Sequence, residues 1–153
     1  MRRSRLSVSL RSRRGLADEL LRSGRNAEAE RELRRVLLDR TMRLGRRHPD
    51  TLSNRHRLAL AAALGGETAE AEESLRELLL DQLKLLGAEH RDTLGTRERL
   101  AWLQERHGRL DEAAEHWRAL LRDRRRILGP DHPDTRRAAE RVESWTHEVD
   151  RIW

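Results

Sequence analysis

The chain has no cysteine, no tyrosine and no phenylalanine, and a single lysine, Lys84, stands in an otherwise all-arginine basic set. Without cysteine there is no disulfide, no thiolate nucleophile and no Cys-based zinc site. Long apolar runs are missing too, and no stretch approaches the ~20 residues of a membrane span. The segment from Met1 to Arg14 is rich in arginine and lacks the apolar core of a secretory signal, so the expected location is the cytoplasm. The nine glycines form no cluster able to cradle a phosphate, and no nucleophile elbow or zincin motif occurs. These absences leave no basis for a cofactor, a metal or an enzymatic role.

Charge, by contrast, is abundant. Charged residues make up 39% of the 153, a fraction that would suit a disordered chain if periodicity were absent. Residues 1–50 carry 15 arginines against 7 acids, residues 51–92 carry 5 bases against 8 acids, and residues 93–153 carry 13 against 12. The net excess of +6 therefore belongs to the N-terminal part.

Periodicity is strong. Leu44-Gly45-Arg46-Arg47-His48-Pro49-Asp50-Thr51 returns as Leu86-Gly87-Ala88-Glu89-His90-Arg91-Asp92-Thr93 and again as Leu128-Gly129-Pro130-Asp131-His132-Pro133-Asp134-Thr135. Gly45, Gly87 and Gly129 lie 42 residues apart both times, a period that marks stacked structural units rather than one central core. The same shift superposes Leu16, Leu58, Leu100 and Val142; Ala17, Ala59 and Ala101; Gly24, Gly66 and Gly108; Ala29, Ala71 and Ala113; Leu33, Leu75 and Trp117; Leu37, Leu79 and Leu121; and Asp39, Asp81 and Asp123. Within each unit the apolar members recur at three- and four-residue steps, which places them on one face of a helix.

Each unit therefore reads as two helices. Helix A of the second unit is expected from about Pro49 to Leu64 and helix B from about Thr68 to Leu85. Gly66 stands between them, where positive φ closes a helix, and Ala59 and Ala71 mark a close approach of the two. Pro suits a first helical turn, and Asp50, Asp92 and Asp134 cap the next helix or place negative charge at its N-terminus. The first unit begins raggedly, with Ser7 or Ser9 as the expected cap. The last has only helix A, from about Pro133 to Arg151, whose stripe of Ala138, Val142, Trp145 and Val149 suits a capping helix. The expected fold is all-α, a solenoid of seven helices. A basic leader over residues 1–8 precedes units at about 9–50, 51–92 and 93–134 and a cap over 135–151.

Leu128 to Thr135, Arg57-Leu58-Ala59, Arg99-Leu100-Ala101 and Gly108-Arg109-Leu110-Asp111-Glu112-Ala113 carry a family resemblance. From about Ser9 to Asp150 the chain resembles tetratricopeptide-repeat proteins of the 42-residue type found in kinesin light chains and many actinobacterial proteins. The resemblance implies a right-handed superhelix of antiparallel helix pairs, with a concave groove lined mainly by A helices that holds a peptide or protein segment. By the family's pattern the groove positions are Arg14, Asp18, Ser53, His56, Leu60, Ala63, Glu98, Trp102 and Glu105. Trp102 stands out because its counterparts are Asp18 and Leu60. It is a candidate binding hot spot, with packing between repeats as the alternative. Trp117 replaces two core leucines and reads as core. The Asn and Lys with which some family members grip C-terminal carboxylates are absent.

Arg13, Arg55 and Arg97 occupy a position where the general tetratricopeptide pattern has a large apolar residue. Antiparallel packing brings the start of A beside the end of B, so recurring ion pairs are expected: Arg13–Asp39, Arg55–Asp81 and Arg97–Asp123. The alternative is a solvated arginine whose stem covers apolar surface. His48, His90 and His132 are too far apart to share a metal and read as histidines that hydrogen-bond local backbone. Glu112 with His116, and Glu143 with His147, have i,i+4 spacing without a recurring third ligand, so they read as surface pairs.

Three functions compete. Binding of a peptide or protein segment in the groove leads. Nucleic-acid binding through Arg2, Arg3, Arg5, Arg11, Arg13 and Arg14 is supported by charge and disfavoured by the lack of interleaved aromatics. Self-association through the C-terminal Ile152 and Trp153, as a homodimer or as a module of a larger regulator, is the third.

Overall fold

The computed structural model describes residues 13–152, with side chains as far as residue 145. The expected caps Ser7 and Ser9, the leader arginines before Arg13, and the side chains of His147, Val149, Ile152 and Trp153 lie outside them. Among the described residues the chain is helix and turn, without a strand. Helix α1 covers residues 13–22. It is followed by α2 (Asn26–Leu44), α3 (Pro49–Leu64), α4 (Thr68–Leu85), α5 (Arg91–Arg106), α6 (Leu110–Leu128) and α7 (Pro133–Ile152). The bounds of α3 and α4 are those expected from the repeat. No helix among the described residues is long and apolar enough to cross a membrane.

Two kinds of link alternate, each with its own chemistry. Between α3 and α4, Gly66 takes φ 99°, while Gly66 N–H bonds Ala63 O and Glu67 N–H bonds Ala62 O. This Schellman arrangement satisfies the last carbonyls of α3 and leads at once into α4. The same pair of bonds recurs after α1 and after α5, at Gly24–Arg25 and Gly108–Arg109.

The B-to-A links work differently. The expectation there had Asp50, Asp92 and Asp134 capping the helix or adding charge to its first turn, and the structure divides these roles. His48 Nδ1 accepts from Asp50 N–H at 3.2 Å, His90 Nδ1 from Asp92 N–H at 3.2 Å, and His132 Nδ1 from Asp134 N–H at 3.1 Å. The backbone carbonyls of the three histidines accept the first intrahelical bonds, from Leu52, Leu94 and Arg136. Histidine is thus the N-cap, and the aspartate adds charge in the first turn. An accepting Nδ1 requires a neutral ring carrying its proton on Nε2.

The chain divides into two compact units, Met1–Leu85 and Leu86–Trp153. In the first, α3 packs against both α2 and α4. Ala17, Leu33 and Ala61 form a core cluster there, flanked by Leu21 and Leu58. In the second unit α6 packs against α5 and α7, around Leu94, Ala101, Ala113, Trp117, Leu120, Leu121 and Ala138. The repeated alanines at 17, 59 and 101 and at 29, 71 and 113 are all buried, so backbones meet where no larger side chain fits. Leu33, Leu75 and Trp117 are buried likewise, and each stabilises its unit by roughly 1.5–3 kcal/mol.

Candidate functional site

The A helices carry the residues expected to meet a partner, and each unit presents its own set. In the first unit these stand on α1 and α3. Asp18, on α1, is ion-paired with Arg57 of α3. Burial first, and then the nearby charge of Arg14, pull the Arg57 guanidinium below its ordinary range. Two guanidiniums thus converge near one carboxylate, leaving local positive charge. Ser53, His56 and Leu60 are half-buried. Ala63 is buried and offers no open surface.

In the second unit the expected binding acids are engaged inside the protein. Glu98 accepts from buried Arg124 of α6 at 2.5 Å and lies 3.6 Å from Arg137 of α7. Glu105 takes both nitrogens of a fork from Arg141 of α7, with Nε at 2.8 Å, and its side chain is only 7% exposed. Both carboxylates therefore join α5 to its neighbours rather than standing open to a ligand. Trp102, between them in sequence, is half-buried against the core cluster, and the Arg106 guanidinium lies 4.8 Å from its ring centroid. It packs and is stacked by a cation at once.

Two of the three expected A-to-B ion pairs form. Arg55 Nη1 meets Asp81 Oδ2 at 2.6 Å and Arg97 Nη1 meets Asp123 Oδ2 at 2.7 Å. The third does not: Arg13 pairs with Glu32 at 3.0 Å, and Asp39 is held by Arg43 at 2.7 Å. The reason lies in the repeat. Arg43 corresponds to Leu85 and Ile127, and Glu32 to Ser74 and His116. At these two positions only the first repeat carries an arginine for the aspartate and a carboxylate for the arginine, whereas the competitors in the other repeats stand farther off, Glu77 at 3.9 Å from Arg55 and Arg126 at 4.0 Å from Asp123.

Several partners were missed by reading the sequence for acids alone. Arg57 and Arg141 share one repeat position with Arg99, so a recurring arginine on helix A was visible. Its role was not, because the acids it reaches sit at different positions, 18 and 105. Arg124 gave weaker warning, since its counterparts are Arg40 and Gln82. Glu112 and His116 both bond Gln104, at 3.3 and 2.6 Å. Among the described residues no group of three or more His, Asp or Glu side chains converges as a metal site would require.

With this geometry in place, comparison with known proteins is informative. The tetratricopeptide-repeat pattern matches residues 9–50 and 93–134. Among solved structures, nearly identical TPR-like repeats from a kinesin-light-chain-like protein of Podosopora anserina align with TM-score 0.79 at 28% identity, over 88% of this chain and 64% of that one. A single-substitution variant of the same protein aligns equally well, over 63% of its length. BtubC (BKLC) from P. vanneervenii aligns with TM-score 0.74 at 21% identity, over 89% of this chain and 55% of its own, and shares the fold. This chain thus spans less than two thirds of each of them. No curated protein matches. The pattern match, the helix pairs and the shared fold agree: the chain belongs to the tetratricopeptide-repeat family, in its kinesin-light-chain-like form.

Proposed function

We propose that the chain is a non-catalytic interaction module that captures a peptide or protein segment on its A-helix faces. Tetratricopeptide repeats mediate protein–protein interaction, and the observation that carries the finer reading is Trp102. A half-buried tryptophan stacked by Arg106, beside glutamates whose charge is already matched, supplies rigid apolar contact area at little ordering cost. The first unit offers its own face, with Ser53, His56 and Leu60 half-buried and positive charge from Arg14 and Arg57. A cytoplasmic setting belongs to the same proposal.

Affinity capture with mass spectrometry provides the test. Trp102→Leu keeps apolar contact with the core while removing the stacked ring, and His56→Ala alters the first unit. Each is expected to lower partner recovery severalfold, with the thermal midpoint shifted by only a few degrees. Unchanged recovery with both variants would sink the reading.

A further inference from the structure

Helix α6 can be compared with its own repeats. Shifted by 42 residues, Arg118 aligns with Arg76 and Arg34, Arg122 with Leu80 and Leu38, and Arg125 with Leu83 and Thr41. In α2 and α4 the first of these positions is an ion-paired arginine. Arg34 holds Glu30 at 2.5 Å, and Arg76 holds Glu72, each acid one turn earlier on the same helix. In α6 the acid's place is taken by Ala114, which is buried, so Arg118 loses the partner its counterparts keep. At the other two positions the earlier repeats do without charge, so the fold does not require arginine there.

All three side chains are exposed, and none makes an ion pair or hydrogen bond among the described residues. Their neighbours on α6 are engaged: Asp123 with Arg97, Arg124 with Glu98 and Arg126 with Glu89. Spacing of i, i+4 and i+7 puts Arg118, Arg122 and Arg125 on one helix face, over roughly 10 Å. Like charges one turn apart destabilise a helix by ~0.2–0.5 kcal/mol per pair. The C-terminal dipole favours Arg125 in the last turn of α6, but it fades before reaching Arg118. Among the described residues no carboxylate pairs with the stripe, and on α6 only Glu115, three residues before Arg118, stands at helical spacing from any of the three.

We propose that this face of α6 docks an acidic segment of a partner protein, whose carboxylates pair with Arg118, Arg122 and Arg125. Guanidinium forks match carboxylates in bidentate pairs, and an acidic helix with carboxylates at three- and four-residue steps would meet all three. The stripe is short and bounded. Asp111 and Glu112 occupy the first turn of α6, and Glu115 stands three residues before Arg118. A nucleic-acid backbone laid along α6 would run onto these acids within a turn, and three contacts fall short of the phosphate count that sustains such binding. The stripe includes no residue of α5, so it stands apart from the reading of Trp102.

The test uses the full chain and a fluorescein-labelled helical peptide bearing glutamates at i, i+4 and i+7, followed by anisotropy at low and at physiological salt. The R118Q/R122Q/R125Q variant is expected to bind about tenfold more weakly. R31Q/R91Q/R136Q, which removes equal charge at exposed positions elsewhere, should stay within about twofold. Equal weakening by both triple variants would mean that net charge alone is at work and would overturn the proposal. So would unchanged binding by the α6 variant, or tighter arginine-dependent binding of a labelled DNA duplex.

Discussion

Arg55 and Asp81 meet with side chains only 11% and 14% exposed, a geometry in which a charge-assisted bond contributes about 2 kcal/mol. The hydrogen bond from Arg55 holds the Asp81 carboxyl below its ordinary range, helped by the charges of Arg55, Arg46 and Arg47 and opposed by burial. A carboxyl depressed on folding stabilises fully above its unfolded pKa of ~4 and loses that contribution as pH falls through the folded value. Asp81→Asn is therefore expected to cost about 2 kcal/mol near neutrality and progressively less below about pH 4, as denaturant titrations across pH would measure. A double-mutant cycle on Arg55 and Asp81 should show coupling, whereas Arg13 and Asp39 should show none. The histidine caps make a second residue-scale prediction. His90→Ala is expected to cost about 1 kcal/mol, while His90→Asp, whose carboxylate can also accept the Asp92 N–H, should retain most of the stability in thermal melts.

A link between helices and the interior of a helix respond to glycine in opposite ways. Gly66 has φ 99° and open space around a would-be Cβ, so Gly66→Ala suffers only from backbone strain, about 1–2 kcal/mol. Gly95 lies inside α5, with nothing within 4 Å of its would-be Cβ. Gly95→Ala should therefore stabilise by up to about 1 kcal/mol, because the unfolded chain loses freedom that the helix never used. Chemical denaturation of both variants checks the opposite signs. Helix α7 departs from the earlier A helices at two repeat positions. Leu52 and Leu94 are buried in α3 and α5, but the corresponding residue in α7 is exposed Arg136. Ala59 and Ala101 likewise give way to exposed Glu143.

At the scale of the molecule, each unit closes its own core cluster. Trp117→Ala is expected to cost about 3–5 kcal/mol, with hydrogen exchange accelerating first in α5, α6 and α7. Much of this architecture was legible beforehand. The 42-residue shift fixed seven helices, the bounds of α3 and α4, the buried alanines, the core position of Trp117 and two ion pairs. Those features follow from local rules applied identically in each unit: helix periodicity, glycine at positive φ, small residues at crossings. The choice of partner by each arginine was not legible. Arg13 turned to Glu32 because Arg43 claimed Asp39, and Glu98 and Glu105, read as open to a ligand, were taken by Arg124 and Arg141. A long side chain reaches several carboxylates whose energies differ by less than ~1 kcal/mol. Distance along the chain cannot rank them. Packing in three dimensions does, by setting which carboxylate is near, which is desolvated and which is already occupied.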